Sequence, residues 1–326
     1  MRVAITLATI FFLCMVISGC RIQEEAGGKE TMVVVVCSDD DWSDAGPALE
    51  KAFSVKEKTL EGQRIFELKR VPAKDMDMYR YRKNLLLMGS IHSDLMKGVL
   101  SEDAKVMVSS GESYMFGSLD AWANNQILVM TVSSEDKSLG EITRSTARSA
   151  FKYFREECRE RIRRRIYSSG IEEGLKAQMK ERHGWSIDLP KAYIPAAEDS
   201  IGHLVSFIKH VPERVISVYW GFDKERKSWV DIRDEMGARY LQGDIVHRDR
   251  YREISTTFRG HKAVKLTGHW ENKKKIMGGP FVAYCFQDTI SGTYYMVDYN
   301  IFAPAEKKWP IVAQMEWIAQ TFKIYR

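Results

Sequence analysis

The sequence lacks the short motifs that mark many enzymes and metal sites. It contains no Cys-x-x-Cys pair, no His-Glu-x-x-His, no Gly-x-Ser-x-Gly, no P-loop and no Gly-x-Gly-x-x-Gly fingerprint. These absences exclude the zinc ribbon, the thioredoxin motif and the common signatures of metalloproteases, serine hydrolases and nucleotide-binding enzymes. We therefore predict no cofactor, no metal site and no catalytic residue, and we favour a non-enzymatic protein over an enzyme without a known motif.

Cysteine is scarce, with five residues among 326. Cys14 and Cys20 belong to an apolar N-terminal segment, which leaves Cys37, Cys158 and Cys285 in the body of the chain. Three cysteines cannot all pair with one another, so the chain is no disulfide scaffold, and we expect buried free thiols.

The sequence also lacks a strong excess of one charge, since it contains 49 Lys and Arg residues and 44 Asp and Glu residues. The formal net charge of +5 is no footprint of nucleic-acid binding, and we expect no nucleic-acid partner. After residue 20, no stretch approaches the ~20 apolar residues that a membrane-spanning helix needs.

The apolar run at residues 3–17 follows a positively charged Arg2. At about 15 residues it is short for a membrane span and typical of a signal peptide. It ends in Ile17-Ser18-Gly19-Cys20, which resembles a bacterial lipobox. The resemblance implies that residues 1–19 are a lipoprotein signal peptide and that Cys20 carries the lipid. An ordinary signal peptide with an incidental Cys20 is the alternative.

Residues 20–31 are polar and contain Gly27-Gly28, so we predict a flexible tether there. We then predict an N-terminal α/β domain at 32–182 and a C-terminal α+β domain at 183–326. In the first domain, four strands alternate with short helices, which indicates a partly parallel sheet. The strands are expected at 32–38, 65–71, 84–91 and 126–132.

A long amphipathic helix closes the predicted N-terminal domain. Its apolar stripe steps by three or four residues from Ala147 to Ile166, and Gly170 interrupts the pattern before a second helix that Gly184 ends. The C-terminal pattern changes to an antiparallel sheet packed with helices. Paired glycines in Met277-Gly278-Gly279-Pro280 predict either a bulge in an edge strand or the close approach of a partner backbone.

Two charged clusters are candidate sites. Asp39, Asp40, Asp41 and Trp42 follow the first strand, where open α/β sheets bind ligands, so we treat them as weak ligand candidates in a 39–44 loop. Turn formation and helix capping are the favoured alternative for these acidic residues. The run from Arg159 to Arg165 could hold the phosphate of an anionic lipid, although the solvated face of a helix is the favoured interpretation.

Several phrases carry a resemblance to a known family. In the first half they are Val34-Val35-Val36-Cys37 and Asp40-Asp41-Trp42, and in the second half Trp185-Ser186-Ile187-Asp188-Leu189-Pro190 and Met277-Gly278-Gly279-Pro280. Over residues 32–324 the chain resembles a family of bacterial envelope lipoproteins, the domain of unknown function 4837. Membership implies export and lipid attachment and implies no activity. The C-terminal half also resembles, in fold alone, the PsbP/Mog1-like sandwich of photosystem-II extrinsic subunits and a Ran-binding protein.

From these features we predict a membrane-anchored envelope lipoprotein that binds or scaffolds, held to the membrane by its N-terminal lipid. Its expected location is the outer membrane facing the periplasm, with exposure at the cell surface as the alternative. An envelope protein or a glycan is the expected partner. The rival hypothesis is a hydrolase that acts on an envelope polymer or lipid with the carboxylates of residues 39–44.

Overall fold

The computed structural model describes residues 23–56, 62–224 and 227–325. The described helices are α1 (Asp39–Phe53), α2 (Met76–Tyr79), α3 (Asp94–Lys97), α4 (Glu102–Ser109), α5 (Leu139–Tyr167), α6 (Glu173–His183), α7 (Trp229–Tyr240) and α8 (Trp309–Ala319). None of them, within these ranges, combines the length and the apolar character needed to cross a bilayer.

The described strands alternate with these helices in the first half of the chain and dominate the second half. They are β1 (Met32–Cys37), β2 (Glu67–Pro72), β3 (Asn84–Ser90), β4 (Met115–Leu119), β5 (Ile127–Ser133), β6 (Trp185–Ser186), β7 (Ile194–Asp199), β8 (Leu204–Lys209), β9 (Glu213–Trp220), β10 (Ile245–Phe258), β11 (His261–Asn272), β12 (Met277–Gln287), β13 (Tyr294–Phe302) and β14 (Lys323–Ile324).

The N-terminal sheet has the strand order β2-β1-β3-β5-β4, and its first four strands run parallel. Residues 33–36 are all buried, because helices cover both faces of a parallel sheet. Phe53 of α1 and Phe154 of α5 pack on one face, while Met96 and Val108 pack on the other. The structure confirms the predicted α/β layer and the buried thiols of Cys37 and Cys158.

The C-terminal sheet is antiparallel, with the strand order β10-β11-β12-β13-β9-β8-β7. Met179 of α6 and Met315 of α8 pack on one face, and Met236 of α7 packs on the other. The predicted antiparallel sheet with packed helices is therefore confirmed. The boundary at 183 is wrong, because α6 contributes Met179 to the C-terminal core and so belongs to the second domain.

Helix α8 joins the two domains. Trp309 and Ala313 belong to the N-terminal core, whereas Ile311 and Met315 belong to the C-terminal core. The indole nitrogen of Trp317 donates to the carbonyl oxygen of Arg159 in α5 at 3.0 Å. The two sheets thus share α8, which packs on both cores.

The predicted flexible tether is wrong for residues 23–31. Ala26 is 4% exposed, and its amide donates to the carbonyl oxygen of Asn124 at 2.9 Å. The amide of Gly27 donates to the carbonyl oxygen of Tyr81 at the same distance. Side-chain polarity predicted the tether, but the backbone groups of this segment find partners in two loops beside the sheet. The predicted signal peptide and Cys20 lie outside the described residues.

Three further differences have local causes. The segment 39–44, which we expected to be a loop, belongs to helix α1, because the helix begins at Asp39. Strand β10 was not predicted, because this edge strand carries the charged, largely exposed sequence HRDRYRE. The predicted bulge at Gly278 and Gly279 is wrong, since β12 is a central strand that pairs without a register shift from Asn272↔Met277 to Ala263↔Phe286.

The paired glycines instead allow two neighbouring strands to approach. A Cβ atom at Gly279 would collide with the carbonyl oxygen of Ile301, and one at Gly278 would lie 2.8 Å from the carbonyl oxygen of Trp270. A side chain at either position would therefore push β12 away from its neighbours.

Gly279→Ala should lower the free energy of unfolding by about 2 kcal/mol, because overpacking forces the backbone to shift. The matched control is Gly174→Ala in α6, where an added Cβ meets nothing within 4 Å, and there alanine should stabilise by up to about 1 kcal/mol. Urea unfolding of both variants measures the difference. Equal effects at the two sites would contradict the close approach.

Candidate functional site

The three aspartates that follow β1 form the first turn of α1 rather than a loop. The amide of Asp41 donates to Ser38 Oγ at 3.1 Å, and the amide of Ser38 donates to the Asp41 carboxylate at 3.4 Å. This reciprocal capping box satisfies groups that the helix start would leave unpaired. The capping alternative is therefore confirmed for Asp41.

The neighbouring candidates make contacts within the N-terminal domain. Asp39 pairs with Arg70 of β2, and the Arg70 guanidinium lies 5.8 Å from the centre of the Trp42 ring. Trp42 is partly buried against the N-terminal core, and Asp40 is exposed. Across the described ranges, His, Cys, Asp and Glu side chains form no group of three that could hold a metal ion. Ligand binding by Asp39, Asp40, Asp41 and Trp42 stays a prediction.

The arginine run of α5 makes the contacts that sequence reasoning missed. Arg161 is 3% exposed, and its guanidinium donates to Glu30 Oε2 from Nη2 at 2.7 Å and from Nε at 3.0 Å. Lys83 and Arg165 reach the other oxygen of Glu30 at 2.9 and 2.8 Å. One carboxylate from the segment predicted to be a tether is thus held by three cations.

Arg161 also binds the sheet where its parallel strands β3 and β5 begin. Its guanidinium donates to the carbonyl oxygens of Lys83 and Asn125 at 3.2 and 2.8 Å and to the Asn84 side chain at 2.8 Å. The solvated-face interpretation is therefore wrong for Arg161. It holds for Arg163, which is exposed and pairs with Glu160 one turn earlier at 2.8 Å.

The charge of Glu30 follows from these contacts. Burial by itself would raise the pKa of the Glu30 carboxyl, but Arg161 and Lys83 lower it below its ordinary value of 4.5. Glu30 is consequently ionised at neutral pH. The network holds residues 23–31 on the body through a charge-assisted contact.

Two cavities lie beside this network. The segment cavity, of about 370 Å³, is bordered by Glu25, Glu30, Lys83, Arg161, Arg164 and Arg165. The junction cavity, of about 390 Å³, is bordered by Arg165, Ser169, Lys191, Lys209, Arg214 and Gln314. Arg165 borders both cavities, so they lie next to each other, one beside the N-terminal segment and the other beside the C-terminal sheet, and we call the pair the basic cleft.

A third cavity, of about 260 Å³, lies between α5, α8 and the C-terminal sheet. Glu316 borders it and accepts hydrogen bonds from Tyr299 at 2.9 Å and from Tyr284. Burial would raise the pKa of the Glu316 carboxyl, but Lys265 and the two tyrosines hold it below its ordinary value. Because these donors already occupy the carboxylate, it attaches α8 to the sheet rather than serving as a free acid or base.

Comparison with family models divides the chain where α5 gives way to α6. Residues 172–321 match the model of a domain of unknown function, DUF4837. Residues 26–167 match a different model, DUF8532, which is also a domain of unknown function. The predicted resemblance to DUF4837 is thus confirmed, but that model matches the second half alone, and the DUF8532 match includes residues 26–31, which are half of the segment predicted to be a tether.

Among solved structures, the similarity to this chain is low both in sequence identity and in TM-score. A Bacteroides thetaiotaomicron protein is 7% identical over 44% of this chain and 46% of its own length, with a TM-score of 0.27. The Saccharomyces cerevisiae Ran-binding protein Mog1p is 11% identical over 43% of this chain and 90% of its own, with a TM-score of 0.29.

A third neighbour is LpqN of Mycobacterium tuberculosis, described as involved in cell envelope biogenesis. It is 14% identical over 44% of this chain and 84% of its own, with a TM-score of 0.27. This chain thus covers less than half of the Bacteroides neighbour, and scores at this level support no transfer of function. Comparison with curated proteins gives no significant match.

Glu30→Gln should lower the free energy of unfolding by about 3 kcal/mol, because it leaves the buried charge of Arg161 uncompensated. Glu24→Gln is the control, since Glu24 is exposed, and it should change stability by less than about 0.5 kcal/mol. Hydrogen exchange at the amides of Ala26 and Gly27 should speed up in the first variant only.

The wild-type network also depends on pH. Because the folded-state pKa of Glu30 is lowered, the contribution of Glu30 to the free energy of unfolding is complete above pH 4.5. That contribution is lost as the pH falls from there through the folded-state pKa. Chemical unfolding across this acidic range should show a smaller loss of stability in Glu30→Gln than in the wild type. Parallel pH profiles for the two proteins would rule out this role.

Proposed function

We propose that the chain is a lipid-anchored protein of the bacterial envelope that binds a partner rather than catalysing a reaction. The anchor is Cys20, as the lipobox-like sequence predicts, and the location is the outer membrane facing the periplasm. The observation that supports this proposal most is the attachment of residues 23–31 to the body through Glu30.

This attachment limits the distance between the anchor and the basic cleft. Gln23, the first residue described, comes three positions after Cys20, and three steps of extended chain span at most about 11 Å. A lipid on Cys20 would therefore hold the body close to the headgroups, with the segment cavity near the bilayer. A long flexible tether would have left the orientation of the body free.

A binding role is favoured over the hydrolase by the contacts of the acidic residues. A hydrolase built on residues 39–44 needs a carboxylate that is free to accept or donate a proton in a cavity. Asp39 instead pairs with Arg70 and Asp41 caps its own helix, while the cavities described above are bordered by other residues. An anionic surface, an envelope protein or a glycan is a better match to the basic cleft.

Cys20→Ser should abolish the incorporation of labelled fatty acid and should release the protein from the membrane fraction or leave its precursor uncleaved. Cys14→Ser is the matched control, because Cys14 lies within the signal peptide predicted at residues 1–19, and it should keep the label. Metabolic labelling followed by membrane fractionation measures both effects. Label that persists in Cys20→Ser at the wild-type level would show that Cys20 is not the attachment site.

A further inference from the structure

The junction cavity gathers positive charge from four separate parts of the chain. Arg165 comes from the end of α5, Lys191 from the loop before β7, Lys209 from β8 and Arg214 from β9. Its border, as described, contains no carboxylate. Cations brought together from distant positions in the sequence are a product of the fold and not of a local charged run.

Two of these cations face each other directly. Lys209 and Arg214 are register partners on antiparallel strands, an arrangement in which like charges destabilise the sheet. Burial and the nearby Arg214 lower the pKa of the Lys209 amine. A bound anion would remove this repulsion.

Arg214 is 5% exposed and finds only neutral partners among the described residues. Its Nε donates to the Tyr193 hydroxyl and its Nη1 donates to the carbonyl oxygen of Pro212, both at 3.2 Å. These bonds orient the guanidinium without neutralising it, and they use two of its five N–H groups. The buried charge therefore keeps donors for a further acceptor.

The balance of charge in the cavity stays positive after its neighbours are counted. Arg165 is paired with Glu30, whereas Lys191, Lys209 and Arg214 take part in no ion pair within the described ranges. The carboxyl end of α5 contributes roughly half a negative charge at most. Three full positive charges outweigh it, and Ser169 and Gln314 add neutral hydrogen-bonding groups to the border.

We propose that the junction cavity binds a phosphate group. An arginine fork matches two phosphate oxygens and lysines supply point charges, while a phosphate group carries one negative charge as the diester of a phospholipid and about −1.5 to −2 charges as a monoester at neutral pH. The group comes from the headgroup of an anionic phospholipid or from a soluble phosphate compound. This site goes beyond the proposed function, because it lies on the folded body and does not require lipid on Cys20.

Titration calorimetry of the full chain in detergent, with inorganic phosphate as the probe, tests the site. Lys191→Gln and Lys209→Gln should each weaken binding about tenfold, as expected for the loss of one charged hydrogen bond. Lys262→Gln is the matched control, because it removes the same charge from the exposed start of β11, towards the opposite edge of the sheet. It should bind phosphate like the wild type.

A thermal melt separates a binding role from a structural one. Without phosphate, Lys209→Gln should melt at or above the wild-type temperature, since it relieves the repulsion from Arg214. Added phosphate should raise the melting temperature of the wild type more than that of Lys209→Gln. A cavity with a purely structural role would show the same phosphate response in both proteins, and that result would overturn the proposal.

Detergent micelles that contain phosphatidylglycerol or phosphatidylcholine distinguish a lipid headgroup from a soluble compound as the source of the phosphate. Binding of phosphatidylglycerol that depends on Lys209 assigns the site to a lipid headgroup. Binding of inorganic phosphate with no preference between the two micelles assigns it to a soluble compound. Failure of both probes, or equal weakening by Lys262→Gln, would refute the site, and neither result would bear on the labelling of Cys20.

Discussion

The burial of helix α8 is the constraint on which the rest of the structure depends. Its sequence, WPIVAQMEWIA, is apolar around the whole circumference, so the helix is stable only when other elements cover it on several sides. The N-terminal core takes Trp309 and Ala313, and the C-terminal core takes Ile311 and Met315. Glu316 is its one ionisable residue, and Lys265 with two tyrosines compensates that charge.

Packing against α8 places α5 beside the C-terminal sheet. The basic end of α5 then meets Lys209 and Arg214, which come from strands of another domain. On its other side the same end of α5 meets Glu30 from the N-terminal segment. The basic cleft therefore follows from domain packing, and its two cavities share Arg165 because that residue lies where the three parts of the chain converge.

The acidic residues after β1 and the arginines of α5 differ in how far along the chain their partners lie. Asp41 looked like a candidate ligand because of its place at a strand end, yet it serves the start of α1. Arg161 looked solvated because glutamates surround it in sequence, yet it is buried and binds Glu30 from 131 residues away. In both cases the partner decides the role of the charge. For Asp41 the partner is local, at Ser38, and a capping motif could reveal it.

The sequence alone determined the features that local patterns encode. The run of buried valines in β1, the stripe of α5, the left-handed Gly184 after α6 and the antiparallel strands near the end all follow from periodicity and turn chemistry. Tertiary structure alone decided the docking of residues 23–31, the place of α6 in the second domain and the basic cleft. The reason is physical, because each depends on groups far apart in the chain, and a sequence pattern reports only on neighbours within a few turns.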